Sequence, residues 1–484
     1  MVQCEALLQE ISYTCIRGKT DCMITDVVYD SRKIKKNCMF VCLKGNRYDG
    51  HDFIEDAVLA GAVCIVVENN VDAKCNKEIT IIKVEDTRYA LAYISAAYFG
   101  YPAKKLITIG ITGTKGKTTT TYMVKSILEH AGYKVGLIGT IEVIMGNTVI
   151  ASDNTTPESY LVQKYFAKMA ECGCEVVVME VSSQGLMLHR TEGFIFDYGI
   201  FTNIKGDHIG PGEHKDFQEY LSCKGKLFRQ CKTGIVNMDD RNYKEVIRNH
   251  TCKIETFGFH AYADYQAKEV HLIKEENGLG VAFQVSGKVC TKICTAMPGM
   301  FSVYNALTAV AICHHFGVKK EMMTEGLKQV KVKGRVETFF CRDKKTVIID
   351  YAHNAYALES VLRTIRAYEP GRLICVFGCG GNRAKSRRYE MGEISGKLAD
   401  FTIITSDNPR YEDPQQIIDD IVCAIKKTGG EYVAIADRKE AIYYAMEHAR
   451  TGDIILLAGK GHETYQEIKG VKYPMDEHLI LQEI

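Results

Sequence analysis

Apolar positions along the chain come in short runs, separated by polar stretches that glycine and proline punctuate. Residues 38–43 and 62–67 read as buried strands, and residues 88–99 read as a helix that stops at Gly100-Tyr101-Pro102. Residues 106–112 predict a further buried strand. A glycine-rich turn follows, and then Val124, Ile127, Leu128 and Ala131 recur at helical spacing, so the next helix has a core-facing stripe. Residues 175–180 predict another buried strand. Beyond residue 331 the alternation sharpens: strands at 347–349, 373–377, 402–404, 432–435 and 454–457 are separated by helical stretches. That is the pattern of a parallel, doubly wound sheet. Such sheets bind ligands at the carboxyl ends of their strands, which puts the loops after Asp350, Gly378, Ser406 and Gly459 in view. The fold class is therefore α/β, in three segments expected at 1–100, 101–331 and 332–484.

A length of 484 residues accommodates about three domains. The formal charge is only +1, so no strong field draws the chain to nucleic acid or to a membrane surface. None of the 19 cysteines forms a CxxC pair, which disfavours a zinc ribbon or a thioredoxin-type site. This cysteine usage, the lack of a signal pattern at the N-terminus and the lack of an apolar run near the ~18 residues of a membrane span point to the cytoplasm.

The sharpest local signal is Gly110-Ile111-Thr112-Gly113-Thr114-Lys115-Gly116-Lys117-Thr118-Thr119, between a strand and a helix. Five residues separate Gly110 from Gly116, one more than the strict GxxxxGKT spacing, so this is a variant phosphate loop. The physics is the same: glycines let backbone N–H groups converge on phosphate oxygens, and the helix N-terminus adds positive potential. Lys117 is expected to reach the terminal phosphates and Thr118 to bind Mg²⁺. Glu180, at a strand end, can complete the metal site, although such an acid is otherwise a solvated or capping group.

These residues resemble the Mur ligase family. The resemblance spans most of the chain, through Asp30-Ser31-Arg32, Thr155-Thr156-Pro157, Met179-Glu180-Val181-Ser182-Ser183, His189-Arg190, Asp207-His208, Tyr220 to Phe228, Gly334-Arg335-Val336-Glu337, Asp350-Tyr351-Ala352-His353, Asp407-Asn408-Pro409-Arg410 and Gly459-Lys460-Gly461-His462-Glu463. It implies a UDP-binding N-terminal domain, a central P-loop ATPase domain and a C-terminal Rossmann-like domain. It also implies a monomer that binds ATP and two Mg²⁺ ions, and that adds meso-diaminopimelate to UDP-N-acetylmuramoyl-L-alanyl-D-glutamate through an acyl phosphate.

By the same resemblance, Gly113 to Thr119, Asn305, Arg335 and Asp350 contact the nucleotide, and Lys117, Lys224 and His208 are catalytic. Thr118, Glu180, His208 and Lys224 serve the metals, with Lys224 carbamylated. Ser31, Arg32, Thr155, Thr156, Ser182 and Arg190 contact the nucleotide sugar and its dipeptide. Arg383, Asp407, Asn408, Arg410, Gly459 and Glu463 form the amino-acid pocket, with Glu463 on the distal ammonium and Arg410 forking onto the distal carboxylate. Outside the family context, Arg410 would simply pair with Glu412 or Asp413, and Asp350 would cap a helix.

The chain departs from the family pattern at Lys115, Gln184, residues 210–214, where a carboxylate near the second metal is missing or replaced by Glu213, and residues 382–386. The alternatives left open are a ligase that adds L-lysine or another amino acid, a folylpolyglutamate-synthase-like enzyme, a simple P-loop kinase or GTPase, and a non-catalytic paralogue that only binds nucleotide sugar.

Overall fold

Runs of apolar, often β-branched residues without polar alternation suit strands buried on both faces, and the central strands are made of such runs. The computed structural model describes residues 1–45, 48–70, 78–206, 209–210, 213–275, 278–341 and 345–484. They form two units, residues 1–266 with 307–322, and residues 267–306 with 323–484.

The first unit holds two large sheets, besides a short antiparallel pairing of Val2–Gln3 with Met23–Ile24. The smaller is built from β1 (Thr14–Arg17), β2 (Val27–Val28), β3 (Met39–Val41), β4 (Cys64–Val67) and β5 (Thr80–Lys83), in the order β1-β5-β4-β3-β2. All its pairings are parallel except β1 with β5. Helix α1 (Thr87–Tyr98) starts where Asp86 accepts from the N–H groups of Arg88 and Tyr89, and it buries Ala90, Leu91 and Ile94 against this sheet's core.

The larger sheet contains β6 (Ile107–Thr112), β7 (Val135–Ile138), β8 (Glu142–Met145), β9 (Thr148–Ala151), β10 (Val176–Glu180), β11 (Phe196–Phe201), β12 (Cys231–Asn237) and β13 (Lys253–Gly258), and reaches the first residues of β14 (Tyr265–Glu275). Its order is β9-β8-β7-β10-β6-β11-β12-β13-β14, with every pairing parallel except those of β8, which runs antiparallel to both β7 and β9. Register sets Glu180 level with Ile111, so the acid and the phosphate loop leave neighbouring strands side by side. Helix α2 (Lys117–His130) follows that loop and buries Val124, Ile127 and Leu128, as the stripe requires. Three further helices, α3 (Ser159–Glu171), α4 (Ser183–Met187) and α5 (Phe217–Gly225), carry site residues or flank them.

The second unit includes the hairpin β15 (Gly278–Gly287) and β16 (Thr291–Thr295) and the first part of α6 (Met300–His315). Its main sheet comprises β17 (Glu337–Phe340), β18 (Thr346–Asp350), β19 (Leu373–Phe377), β20 (Phe401–Ile404), β21 (Tyr432–Ala434) and β22 (Ile454–Ala458), in the order β17-β18-β22-β19-β20-β21. The five strands expected from the sequence are all present and parallel; β17 adds an antiparallel edge.

Helices α7 (Ala355–Arg366), α8 (Ser386–Leu398) and α9 (Pro414–Thr428) share one core. Helices α10 (Arg438–His448) and α11 (Glu477–Glu483) share the core on the other face, which makes the sheet doubly wound. A hairpin, β23 (Tyr465–Ile468) with β24 (Val471–Pro474), stands outside the sheet. Among the described residues, no helix is long and apolar enough to cross a membrane, and every cysteine is a free thiol.

Candidate active site

The phosphate loop is clamped from the neighbouring strand. Past the end of β11, the Asn203 carbonyl accepts from Thr114 N at 2.8 Å and its side chain accepts from Lys115 N at 3.0 Å. The Thr202 hydroxyl and the Asn203 amide both donate to the Lys115 carbonyl, at 2.7 and 3.0 Å. Gly113 has φ +151°, and a Cβ there would fall 1.9 Å from Thr202 Oγ1, so the clamp itself demands glycine. These bonds fix the loop that opens α2.

Two lysines converge on the same turn. Lys117 Nζ donates to the carbonyls of Gly113 at 2.8 Å and Thr114 at 3.2 Å. Lys224, on α5 and almost wholly buried, donates to the Gly113 carbonyl at 3.0 Å and lies over the Tyr220 ring. Tyr220 OH in turn meets Thr114 Oγ1 at 2.9 Å.

Glu180 is buried at the end of β10. It accepts from Thr118 Oγ1 at 3.0 Å, from Thr140 N at 2.8 Å and from Thr140 Oγ1 at 3.0 Å. A threonine hydroxyl and a carboxylate are hard oxygen donors, and their contact beside the loop suits a hard divalent cation that also takes phosphate oxygens. Among the described residues, no cluster of three or more His, Cys, Asp or Glu side chains forms a metal cage. Asp207 and His208 lie outside the described residues.

The residues expected to hold the dipeptide come together next to the loop. Thr156 Oγ1 donates to the Glu180 carbonyl and accepts from Ser182 N; Ser182 Oγ caps α4 by accepting from Gly185 N. Arg190 donates to the Thr156 carbonyl at 2.9 Å and lies 3.4 Å from Glu158, whose other oxygen accepts from Arg88 on α1. Thr155 meets Thr140, hydroxyl to hydroxyl, at 3.0 Å. Lys117, Lys224, Thr155, Thr156, Ser182 and Arg190 all line one cleft of about 680 Å³. Glu213 and His214 line it too, and His214 Nε2 sits 2.8 Å from Ser183 Oγ. Within the departure at residues 210–214, Glu213 is the residue expected to replace a missing carboxylate near the second metal, whereas His214 carries no such expectation. Ser31 and Arg32 lie in a separate 3₁₀ turn, where Arg32 pairs with Asp30.

In the second unit the residues expected to hold the amino acid cluster at strand carboxyl ends. Asn408 donates to Glu463 Oε2 at 2.8 Å, and its Oδ1 accepts from Lys460 Nζ at 2.8 Å. Lys460, fully buried, also donates to Glu463 at 2.8 Å. Burial pushes the Glu463 carboxyl up, but the Lys460 ammonium and the Asn408 amide outweigh it and hold the group below its usual value. Lys460 lies inside the Gly459–Glu463 motif, where nothing in its sequence neighbours signals this role.

Asp407 is nine-tenths buried beside Gly459, and its Oδ2 takes no hydrogen bond among the described residues. A buried carboxylate oxygen of this kind suits an ammonium donor. Arg410 pairs with Glu467 at 3.2 Å and donates to the Gly381 carbonyl at 2.7 Å. Its sequence neighbour Glu412 is taken instead by Arg388, and Asp413 caps α9. Arg383 is exposed.

Asp350 accepts from Val336 N at 2.8 Å, which anchors the turn that carries Arg335; the cap of α7 is Asn354. Arg335 lies over the Tyr351 ring, and His462 packs against the same ring, with centroids 4.8 Å apart. Burial, then the Arg335 charge, pushes His462 down to about 4, so its imidazole is neutral at pH 7. Asn305 is buried in α6.

Known proteins match this arrangement along the chain. The model of the Mur ligase family, catalytic domain matches residues 23–99, that of the Mur ligase middle domain residues 111–313, and that of the Mur ligase, glutamate ligase domain residues 334–461. A UDP-N-acetylmuramoyl-L-alanyl-D-glutamate–2,6-diaminopimelate ligase of Caldanaerobacter subterraneus subsp. tengcongensis is 43% identical over 470 residues, covering 97% of this chain and 96% of that protein. The ligase of the same name from Clostridium perfringens is 41% identical over 488 residues, covering 99% of both. A solved structure of a ligase with that name aligns with a TM-score of 0.71 at 27% identity, covering 100% of this chain and 98% of the other. MurF of Thermotoga maritima, in complex with ADP, shares the fold at 18% identity and a TM-score of 0.59, covering 90% of this chain and 93% of that one. With matched models across most of its length and such relatives along nearly all of it, this chain belongs to the Mur ligase family.

Proposed function

We propose that this chain is an ATP-dependent amide ligase that adds meso-diaminopimelate to UDP-N-acetylmuramoyl-L-alanyl-D-glutamate through an acyl phosphate, in peptidoglycan precursor synthesis. One observation carries the reading: groups suited to phosphate and groups suited to an anionic peptide line a single cleft. The names borne by relatives at 41–43% identity support diaminopimelate over lysine as the amine.

The difficulty of the first step is electrostatic, because a carboxylate must approach a triphosphate. Lys117 would exchange the Gly113 and Thr114 carbonyls for terminal phosphate oxygens, and the loop N–H groups would hold the rest. Arg190, anchored on Thr156 and Glu158, would hold a carboxylate of the peptide by a charge-assisted bond. Holding both anions in reach replaces a bimolecular encounter with a unimolecular one. Two Mg²⁺ ions, when bound, would neutralise charge on the transferring phosphoryl group; Thr118, Glu180, His208 and a carbamylated Lys224 would hold them. The nucleotide roles of Asn305, Arg335 and Asp350, and the UDP roles of Ser31 and Arg32, rest on the motif resemblance.

For the amine, Arg410 would bind the distal carboxylate, with Arg383, Asp407, Asn408, Gly459 and Glu463 around the rest. We assign the functional segments to 1–100, 101–331 and 332–484 and the enzyme to the cytoplasm as a monomer. The free thiols and the lack of an apolar spanning helix among the described residues are consistent with that compartment. The test supplies the UDP-linked dipeptide, ATP and a panel of amino acids, and follows ADP and amide. Meso-diaminopimelate should win. Preference for lysine would overturn the amine, and no ADP with any amino acid would overturn the ligase.

A further inference from the structure

A further cavity, of about 1080 Å³, lies in the first unit where α1 ends and β6 begins. Leu106, Ile107, Phe194 and Ile195 line it, so it faces the amino ends of β6 and β11. The phosphate loop leaves the opposite end of β6, a strand of six residues and roughly 17 Å. Ligands of parallel sheets gather at carboxyl ends, so this cavity is separate from the cleft described above.

Its wall combines aromatic rings with one orphaned amide. Tyr93, Tyr101 and Phe194 supply the rings. Tyr101 turns the chain at φ +53°, and Lys104 lies over its ring at 4.3 Å. Gln163, on α3, also lines the cavity and is only 1% exposed. Among the described residues, neither its Nε2 nor its Oε1 takes part in a hydrogen bond. A buried amide without partners is costly, and native proteins rarely keep one. Gln163 thus presents a donor and an acceptor side by side at an aromatic wall, the pattern that pairs with the edge of a nucleobase.

Charge narrows the ligand further. Glu10, Glu192 and Asp197 oppose Lys104 and Lys232 in the lining. Asp197 is already satisfied: Lys232 bonds Oδ1 at 2.7 Å, and Thr108 N bonds Oδ2 at 2.8 Å. More carboxylates than ammoniums disfavour a phosphate on the ligand. We propose that this cavity is a second ligand site, distinct from the substrate cleft, for an uncharged nucleobase or nucleoside. The ring lies among Tyr93, Tyr101 and Phe194, and its donor–acceptor edge pairs with Gln163.

The test titrates adenine and 6-methylpurine, rings of one shape of which only adenine carries the donor. Each is added to the whole chain held with saturating Mg·ADP and UDP-linked dipeptide, and read by calorimetry and by soaked crystals. Adenine should bind wild type with a Kd on the order of 0.1–1 mM, and 6-methylpurine about 10-fold more weakly. Gln163→Met should weaken adenine about 10-fold and erase the difference between the rings. Tyr101→Ala, which leaves the amide in place, should weaken both rings alike. The comparison of rings on wild type needs no variant to fold. Adenine that fails to bind or appears only in the nucleotide cleft would overturn the proposal. So would equal affinity for the two rings, or a Gln163 amide that holds only water in the soaked crystals. Binding is read without turnover, so its failure leaves the ligase reading standing.

Discussion

Lys224 and Gly113 lie 111 positions apart, yet the ammonium of one donates to the carbonyl of the other at 3.0 Å. A buried lysine at the mouth of a phosphate loop is well placed to act through a carbamate, whose oxygens would be metal ligands. Replacing Lys224 with Ala or Arg should each lower kcat about 10²- to 10³-fold, on the scale of losing one preorganised electrostatic group. Activity should fall in CO₂-free buffer and return with bicarbonate. An active Lys224→Arg enzyme would end the carbamate reading.

Arg410 is expected to set the preference for a second carboxylate. Arg410→Ala should lower kcat/KM for diaminopimelate about 10- to 100-fold and leave the much weaker use of lysine almost unchanged. Steady-state kinetics with both amines decide it; an equal loss for the two would show that Arg410 acts only on local structure.

Arg388 is a stability residue of the same region. It is buried on α8 and bonds Glu412 at 2.6 Å and Asp420 at 2.9 Å. Glu412 accepts from Asn382 N, so the Arg388 fork also ties down the loop after β19. Arg388→Met leaves two acids without their cation and should cost about 2–3 kcal/mol, the low end for a broken buried pair because the acids are partly exposed. Urea unfolding measures this, and a loss below ~0.5 kcal/mol would contradict it.

Gly334 has φ +66°, and a Cβ there would fall 2.2 Å from His462 N. Gly334→Ala should therefore destabilise the second unit by at least ~2 kcal/mol from left-handed backbone strain and the clash. That corresponds to a melting temperature about 4–8 °C lower by calorimetry. An unshifted transition would mean that the turn relaxes freely.

His478 on α11 should make stability pH-dependent. Its hydrogen bond to Glu337 at 2.8 Å, helped by Asp476, raises it above its usual 6.5 despite burial. A raised histidine contributes fully below about 6.5 and loses that contribution as pH rises through its folded value. Burial pushes Glu337 up, but the His478 bond, the Gly334 N–H bond and nearby positive charge together outweigh it and hold the carboxyl below its usual 4.5, so its part is lost as pH falls through its folded value. His478→Gln should thus cost about 1 kcal/mol near pH 6 and distinctly less at pH 9. Equal costs in urea melts at both pH values would refute the linkage.

Local pattern was enough to find strands, because burial on both faces leaves no polar alternation, and enough to find the phosphate loop, because strand, glycines and helix are contiguous. It could not find Thr140, Asn203 or Tyr220, which hold Glu180 and the loop from distant points of the chain. The same holds for Arg410 and Glu467, separated by 57 positions. A sequence window registers period, whereas such pairs arise only when strand order brings loops together. The edge strand β17 escaped for a related reason: its half-buried residues lack the fully apolar signature of the inner strands.

The hairpin β23–β24 stands apart from the six-stranded sheet, and its outer strand is exposed throughout. Gln466 and Glu467 tie it to Ser406, Asp407, Asn408 and Arg410. If these residues hold the amine as proposed, exchange of this short segment would alter amine preference without touching the strands of the six-stranded sheet, which makes it the natural first target for a mutant library.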